Sequence, residues 1–292
     1  MPTYPFVTVD VFTETRFGGN PLAVFTDAQG MSDAEMQRLA TEFNLSETTF
    51  VLPPADPAHT ARVRIFNPAY EMPFAGHPNV GTALVLAEAG RDRDGTMVFE
   101  EIAGLVRVRI ERSGGATTAT IEAPEPVSAG PELPVDAIAA CLSLEAGAIV
   151  TARHPPIVAS VGHPFVFVEV ALQPLSRATP DIAAFRKTLA AHMPDGRLAI
   201  HVYARDGDAL ATRMFAPLIG IVEDPATGSA NAALGALLLS LGSEKERRWD
   251  VTQGVEMGRP SRLALRAWRA ADGCRASVGG SCVPVLRGEA QL

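Results

Sequence analysis

The sequence predicts an α+β protein of two pseudo-symmetric domains, each with β-strands wrapped around one central apolar helix. Three observations carry this expectation: a motif that occurs twice, two helical runs that are apolar nearly all round, and a proline-rich stretch between the copies. The first copy reads Arg64-Ile65-Phe66-Asn67-Pro68, then Gly76-His77-Pro78-Asn79, then an apolar run ending at Gly90. The second reads Arg213-Met214-Phe215-Ala216-Pro217, then Gly228-Ser229-Ala230-Asn231, then an apolar run ending at Gly242. Asn and closing Gly are 11 residues apart both times, and only the loop after the proline differs, being three residues longer in the second copy. Agreement in order, residue type and spacing marks a duplicated unit.

The elements follow in chain order. Residues 6–12, 22–25, 49–52 and 61–66 are β-branched or alternating runs bounded by turn residues and read as strands. Residues 105–111, 117–121, 164–170, 198–204 and 211–215 read the same way. Residues 32–43 form a helix, because Ser32 followed by Glu35 is a capping box. Gly76-His77-Pro78-Asn79 reads as a turn, residues 80–89 as a helix, and Gly90 as its stop. This helix and its counterpart after Asn231 are too apolar for a surface position, so each is expected at the centre of its half. Residues 123–134 carry four prolines and no periodic pattern, which places a boundary near Val127. The expected domains are therefore 1–127 and 128–292, with terminal strands able to cross between them.

Composition excludes several classes. The chain has 292 residues, 47% of them hydrophobic and 20% charged, which is ordinary for a globular protein. A net charge of −8 argues against a nucleic-acid partner. No apolar run reaches the roughly 18 residues of a membrane span, so no membrane partner is expected. The three cysteines, Cys141, Cys274 and Cys282, have no metal-ligand spacing, and their odd number without a signal-peptide pattern points to a reducing, cytoplasmic setting.

The repeat also suggests a chemistry. A helix start carries unpaired N–H groups and about half a positive charge, so it attracts anions. Glycine before it allows close backbone approach. Two such starts facing one cleft would suit a small carboxylate-bearing molecule, with His77 from one copy and Asp224 and Ser229 from the other. Taken singly, His77 also reads as a capping residue, Asp224 as part of an acidic turn, and Ser229 as an N-cap.

At this point the chain resembles the phenazine-biosynthesis-protein-like (PhzF-like) isomerases, which share the diaminopimelate epimerase fold. The resemblance covers nearly the whole chain and rests on Asp10-Val11-Phe12 with Gly19-Asn20-Pro21, Leu45-Ser46-Glu47-Thr48, Pro73-Phe74-Ala75-Gly76-His77, Asp224-Pro225-Ala226-Thr227-Gly228-Ser229, and Gln253-Gly254 with Gly258-Arg259-Pro260-Ser261. It implies Glu47 as general acid/base, with His77, Asp224 and Ser229 lining the catalytic site. It implies further that Asn20 binds the substrate, that the main chain around Gly76 and Gly228 holds its carboxylate, that no cofactor is used, and that the protein is a homodimer. A carboxyl that takes a proton from one carbon and returns it to another must work in both forms near neutral pH, which calls for partial desolvation; the uncharged run around Glu47 suits this.

Departures from the wider fold family narrow the chemistry. Its epimerases use two thiols, one before each helix-start glycine, whereas those positions here are Ala75 and Thr227. Lys187 and Lys245 lie in charged runs unsuited to a Schiff base, His77 has no metal-ligand partner at the right spacing, and Ser229 lacks a nucleophile elbow. His163 falls close to where Glu47 falls in the first copy and reads as structural. The expected function is a cofactor-independent isomerase moving a proton, and hence a double bond, on a small cyclic or unsaturated carboxylic acid. The alternatives are a non-catalytic carboxylate binder on the same fold and an epimerase or racemase of an amino-acid-like substrate.

Overall fold

The computed structural model describes residues 1–193 and 196–292. It divides into two units, residues 1–122 with 279–292, and residues 123–278. In the first, β1 (Thr3–Val11) lies antiparallel between β2 (Asn20–Phe25) and a terminal strand (Cys282–Gln291). The helix α1 (Asp33–Phe43) leads to β3 (Glu47–Leu52), which runs parallel to β2 and antiparallel to β4 (Ala61–Phe66). The short β5 (Glu71–Met72) folds back on β4 and leads into α2 (Gly76–Glu88). Next, β6 (Thr96–Glu101) runs parallel to β4, and β7 (Gly104–Ser113) and β8 (Ala116–Glu122) extend it as an antiparallel meander. The helix α2 packs on β1, β2, β3, β7 and β8, and every residue from Gly76 to Ala87 is buried. A second core lies under α1, where Phe25 stacks on Phe50 and meets Phe43 edge-on, and Phe66 meets Phe50 edge-on, in one cluster with Met36.

The second unit opens with β9 (Ser128–Glu132), α3 (Val135–Cys141), β10 (Ile149–Val150), β11 (Ile157–Ser160) and β12 (Pro164–Val170). The helices α4 (Leu172–Arg177) and α5 (Ile182–His192) precede β13 (Ile200–Asp206), which is parallel to β12, and β14 (Ala209–Ala216), antiparallel to β13. There follow β15 (Ile221–Asp224) on β14, α6 (Gly228–Ser240), β16 (Glu246–Gln253) parallel to β14, β17 (Ser261–Ala270) and β18 (Gly273–Gly280). The helix α6 packs on β11, β12, β16 and β17. Parallel, antiparallel, antiparallel, then parallel again is the pairing order of β2-β3-β4-β5-β6 and of β12-β13-β14-β15-β16. The expected α+β units, each with strands around an apolar helix, are thus present.

Two local expectations need correction. Both central helices begin at the glycine, so Gly76-His77-Pro78-Asn79 is the first turn of α2 rather than a preceding turn. Proline is tolerated in a first turn because its missing N–H has no helical partner there, and the Asn79 amide donates to the Ala75 carbonyl at 3.0 Å. The proline-rich stretch is no free linker, since its residues 128–132 pair with β11. The terminal strand belongs to the first unit through its long pairing with β1. By contrast, the Ser32–Glu35 capping box forms as expected, and Gly90 ends α2 with its N–H on the Ala87 carbonyl and that of Arg91 on Leu86.

Candidate active site

The repeated Arg-x-Phe is a clamp that fixes the strand before each helix start. Arg64 lies 5.1 Å over the Phe66 ring, grips Glu71 with two nitrogens at 2.6 and 2.5 Å, and also reaches Asp33. Arg213 lies 4.8 Å over Phe215 and grips Glu223 at 2.8 Å twice. Bidentate pairing is the geometry a guanidinium favours. Each clamp ties a central strand to the short return strand that feeds the helix. In neither helix does a described side chain cap the start: Ala75 and Thr227 stand at the N-cap positions without a capping bond.

In the first unit the structure brings Glu47 and His77 together. Glu47 opens β3, directly beside Leu22 on β2, and its Oε2 lies 3.4 Å from His77 Nε2. His77 is 5% exposed, and burial lowers its pKa to about 3 against a backbone hydrogen bond with Pro21 that raises it. Proline offers only a carbonyl, so the ring must donate to it. Since Nε2 makes no hydrogen bond of its own, Nδ1 carries the proton, and neutral His77 turns a bare Nε2 lone pair toward Glu47. Asn20 is fully buried beside this pair and accepts at 3.4 Å from the Ser46 hydroxyl, one residue before Glu47.

In the second unit Asp224, Thr227 and Gln253 form one buried network. The Thr227 hydroxyl donates to Asp224 Oδ2 at 2.5 Å. Gln253 Oε1 accepts from the Thr227 N–H at 3.2 Å and the Asn231 amide at 2.8 Å, while its Nε2 donates to the Asp224 carbonyl at 2.9 Å. Asn231 also donates to the Thr227 carbonyl at 3.0 Å, matching what Asn79 does with Ala75. His201 donates to Asn231 Oδ1 at 3.2 Å, and burial drops its pKa to about 4. The Gln253-Gly254 motif closes the loop from below. Gly254 has φ +75°, and an added Cβ there would lie 2.5 Å from the Arg259 carbonyl and 2.6 Å from that of Pro225. Ser261 then donates to the Pro225 carbonyl at 2.8 Å. Ser229 is the second residue of α6 and, unlike its helix neighbours Gly228 and Ala230, is not fully buried.

Comparison with known proteins decides the family: the model for phenazine biosynthesis-like proteins matches residues 9–288. The chain belongs to the phenazine biosynthesis-like protein family. It is an enzyme of the isomerase class, as its curated relatives are named. It is 40% identical to an uncharacterized isomerase of Mesorhizobium japonicum, covering 99% of both chains. It is 38% identical to the trans-2,3-dihydro-3-hydroxyanthranilate isomerase of Pseudomonas aeruginosa, covering 98% of this chain and 99% of that one. Among solved structures, the Bacillus anthracis phenazine biosynthesis protein of the PhzF family superposes with TM-score 0.89 at 25% identity, over 100% of both chains.

Strand register fixes the correspondence between the copies in this family member. Ile65 faces Met72 as Met214 faces Asp224, so Asp224 has Met72 as its counterpart. Thr49 faces Ile65 as His201 faces Met214, and Ala23 faces Thr48 as Val166 faces Ile200. By that register Glu47 corresponds to Ala199, and His163 to Asn20. The expectation that His163 falls where Glu47 does is therefore corrected; His163 is exposed, with its ring edge-on to Phe165 at 5.0 Å. Sequence reading left the side-chain roles of Gln253, His201 and Glu101 unassigned, although the repeated Asn79 and Asn231, which they surround, were the available signal. Burial pushes the Cys141 thiol up and the Cys282 thiol up to about 12, so both are poor thiolates at neutral pH.

Proposed function

We propose that the protein moves a proton, and with it a double bond, on a small cyclic or unsaturated carboxylic acid, with Glu47 as general acid/base and no cofactor. The observation that carries this reading is the Glu47–His77 pair. Ionised Glu47 takes a proton from one substrate carbon and becomes the acid; its O–H then finds the bare His77 Nε2 lone pair 3.4 Å away. Neutral His77 thus steadies the protonated form without taking the proton, because burial makes it a weak base. Glu47 returns the proton to a second carbon, so no net proton or electron is exchanged. The start of α2, where Ala75 makes no side-chain capping bond, supplies the contact a substrate carboxylate needs at Gly76. Asp224, Ser229 and the main chain at Gly228 enter this reading on the sequence pattern and on the matching start of α6.

The substrate named for the Pseudomonas aeruginosa relative is a ring carboxylic acid with unsaturated carbons, which is the class proposed here. The test is incubation of the protein with trans-2,3-dihydro-3-hydroxyanthranilate in deuterium oxide, followed by mass spectrometry. Isomerised product carrying solvent deuterium at one carbon supports the reading. Tight binding of the acid with neither isomerisation nor exchange would reduce the protein to a carboxylate binder. The same reading makes the protein a cytoplasmic homodimer; light scattering showing only a 30.8 kDa species at micromolar concentration would oppose the dimer.

A further inference from the structure

One inward-facing position at which the two copies differ lies outside the proposed proton shift. Arg62 pairs with Glu100 as Ala211 pairs with Thr252, so the next residue along each parallel strand, Glu101 in β6 and Gln253 in β16, occupies the same place. Met97, Phe99 and Glu101 alternate onto the core face of β6, with Met97 and Phe99 fully buried. Gln253 has its full set of partners, including the Asn231 amide. In Glu101 both carboxyl oxygens are buried and lack hydrogen bonds, and so does Asn79 Oδ1. Asn79 is the polar side chain next to the Glu101 carboxyl, with no hydrogen bond between the two as they stand.

Donor counting distinguishes the two forms of Glu101. A carboxylate only accepts, so beside it Asn79 Oδ1 has no donor; in the second unit His201 fills that role, and its counterpart here is Thr49, whose hydroxyl is engaged with Thr82 at 2.8 Å. A neutral carboxylic acid has the O–H that Asn79 Oδ1 lacks and the carbonyl that its N–H can use. We propose that Glu101 is a positioning residue that forms a reciprocal acid–amide pair with Asn79, taking the place of the glutamine in the other copy and setting the backbone at the start of α2. Asn79 passes that constraint to the Ala75 carbonyl, and the turn after β6 adds a second tie, from the Ala103 N–H to the Pro73 carbonyl at 3.1 Å.

The surroundings favour the neutral acid. Burial is the main influence on Glu101 and raises its pKa to about 8, opposed only by Asn79. The charged groups that share its cleft are Arg62 and Arg64 on β4, Glu71 on β5 and Glu100 on β6. Arg64 is taken up by Glu71 and Asp33, Glu100 accepts from His59 and two backbone N–H groups, and Arg62 is exposed. None of them holds Glu101 ionised. Above its titration point a negative charge would appear beside the helix start, and the resulting loss of affinity for a carboxylate rests on the proposed function; the pair itself does not.

The test is a pH titration of the full protein with carboxyl-13C glutamate, the Glu101 signal being assigned by its absence in Glu101→Gln. A midpoint near 8 supports the pair, and a midpoint below 6 overturns it. Glu101→Asp provides the assignment if the glutamine variant does not fold. The second readout compares Tm across pH. Because the folded pKa lies above the unfolded one, the stabilisation is complete below about 4.5 and is lost as pH rises toward 8. Wild type and Glu101→Gln should therefore coincide near pH 4 and separate by pH 8, with the variant higher. A gap that is constant with pH would overturn the proposal. A third arm follows the Gly76 amide on adding inorganic sulfate: affinity that falls above pH 8 in wild type but not in the variant supports the positioning role. Sulfate binding equally strong across pH in both proteins overturns that role even where the titration supports the pair.

Discussion

Glu47→Gln separates the chemistry from the architecture. The substitution keeps volume and shape at the start of β3, and the new amide N–H can still donate to the His77 Nε2 lone pair that Glu47 faces at 3.4 Å. The transferable proton, the negative charge of the base and one acceptor oxygen are lost. The Glu47 and His77 side chains are 12% and 6% exposed, so there is little room for bulk water to replace the missing base. Removing a positioned general acid/base costs about 10²- to 10⁴-fold in rate, or about 3 to 5 kcal/mol of transition-state stabilisation. Stability should move by less than about 1 kcal/mol, because the amide keeps the side-chain volume and can still donate to His77 Nε2. The assay is solvent deuterium uptake into cyclic unsaturated carboxylic acids, with Kd for an unreactive analogue measured alongside. Lost exchange with unchanged Kd is the expected result. Equal exchange by wild type and variant would remove Glu47 from the mechanism, and exchange abolished instead by Cys141→Ser, Cys274→Ser or Cys282→Ser would restore a thiol mechanism.

Further outcomes follow from the same geometry. His77 and His201 have folded pKa values of about 3 and about 4, below the ordinary 6.5, so their contribution is intact above pH 6.5 and is lost as pH falls. Between pH 6.5 and 5 each should cost about 2 kcal/mol, and urea unfolding of His201→Gln at the two pH values should show a shallower loss than wild type. Gln253→Leu removes the Gln253 partner of one Asn231 amide N–H, the Thr227 N–H and the Asp224 carbonyl in a site where Gln253 is 1% exposed. At about 1–3 kcal/mol per unsatisfied group, chemical denaturation should register at least about 3 kcal/mol of lost stability. Gly81→Ala would place a methyl 2.6 Å from Leu22 Cδ2 and 2.7 Å from Val11 Cγ2, both in fully buried side chains. Thermal melts should show overpacking of about 1–3 kcal/mol, and an unchanged Tm would mean the α2 contact is looser than described.

The duplicated unit was legible because its marks are local: an arginine two residues before a phenylalanine, a glycine at a helix start, an asparagine three residues later. What the asparagines bind was not legible, since Gln253 and Glu101 lie 22 residues beyond Asn231 and Asn79 and arrive through strand pairing. Strands 246–253 and 261–270 were missed because charged residues occupy their outward positions and mask the apolar alternation, as in Glu246-Arg247-Arg248. Start points of α2 and α6 were placed four residues late, because Gly-x-x-Asn reads as a turn until the asparagine amide is seen to point back along the helix. Glu47 was found through resemblance; its own neighbourhood says only that an acid sits at the mouth of an apolar strand.

The pairing of β1 with the terminal strand has a consequence for how the protein is made. Residues 1–122 leave the ribosome first, yet β1 keeps one bare edge until residues 282–291 emerge. At about 5–20 residues per second, the intervening stretch of roughly 160 residues takes about 8–30 s to synthesise. During that interval the whole of residues 123–278 has been translated and is free to form its own core, so the unit begun first is the one completed last. An exposed strand edge invites pairing with other chains, which makes the nascent first unit the point at which a slowed ribosome or a premature stop would lead to aggregation.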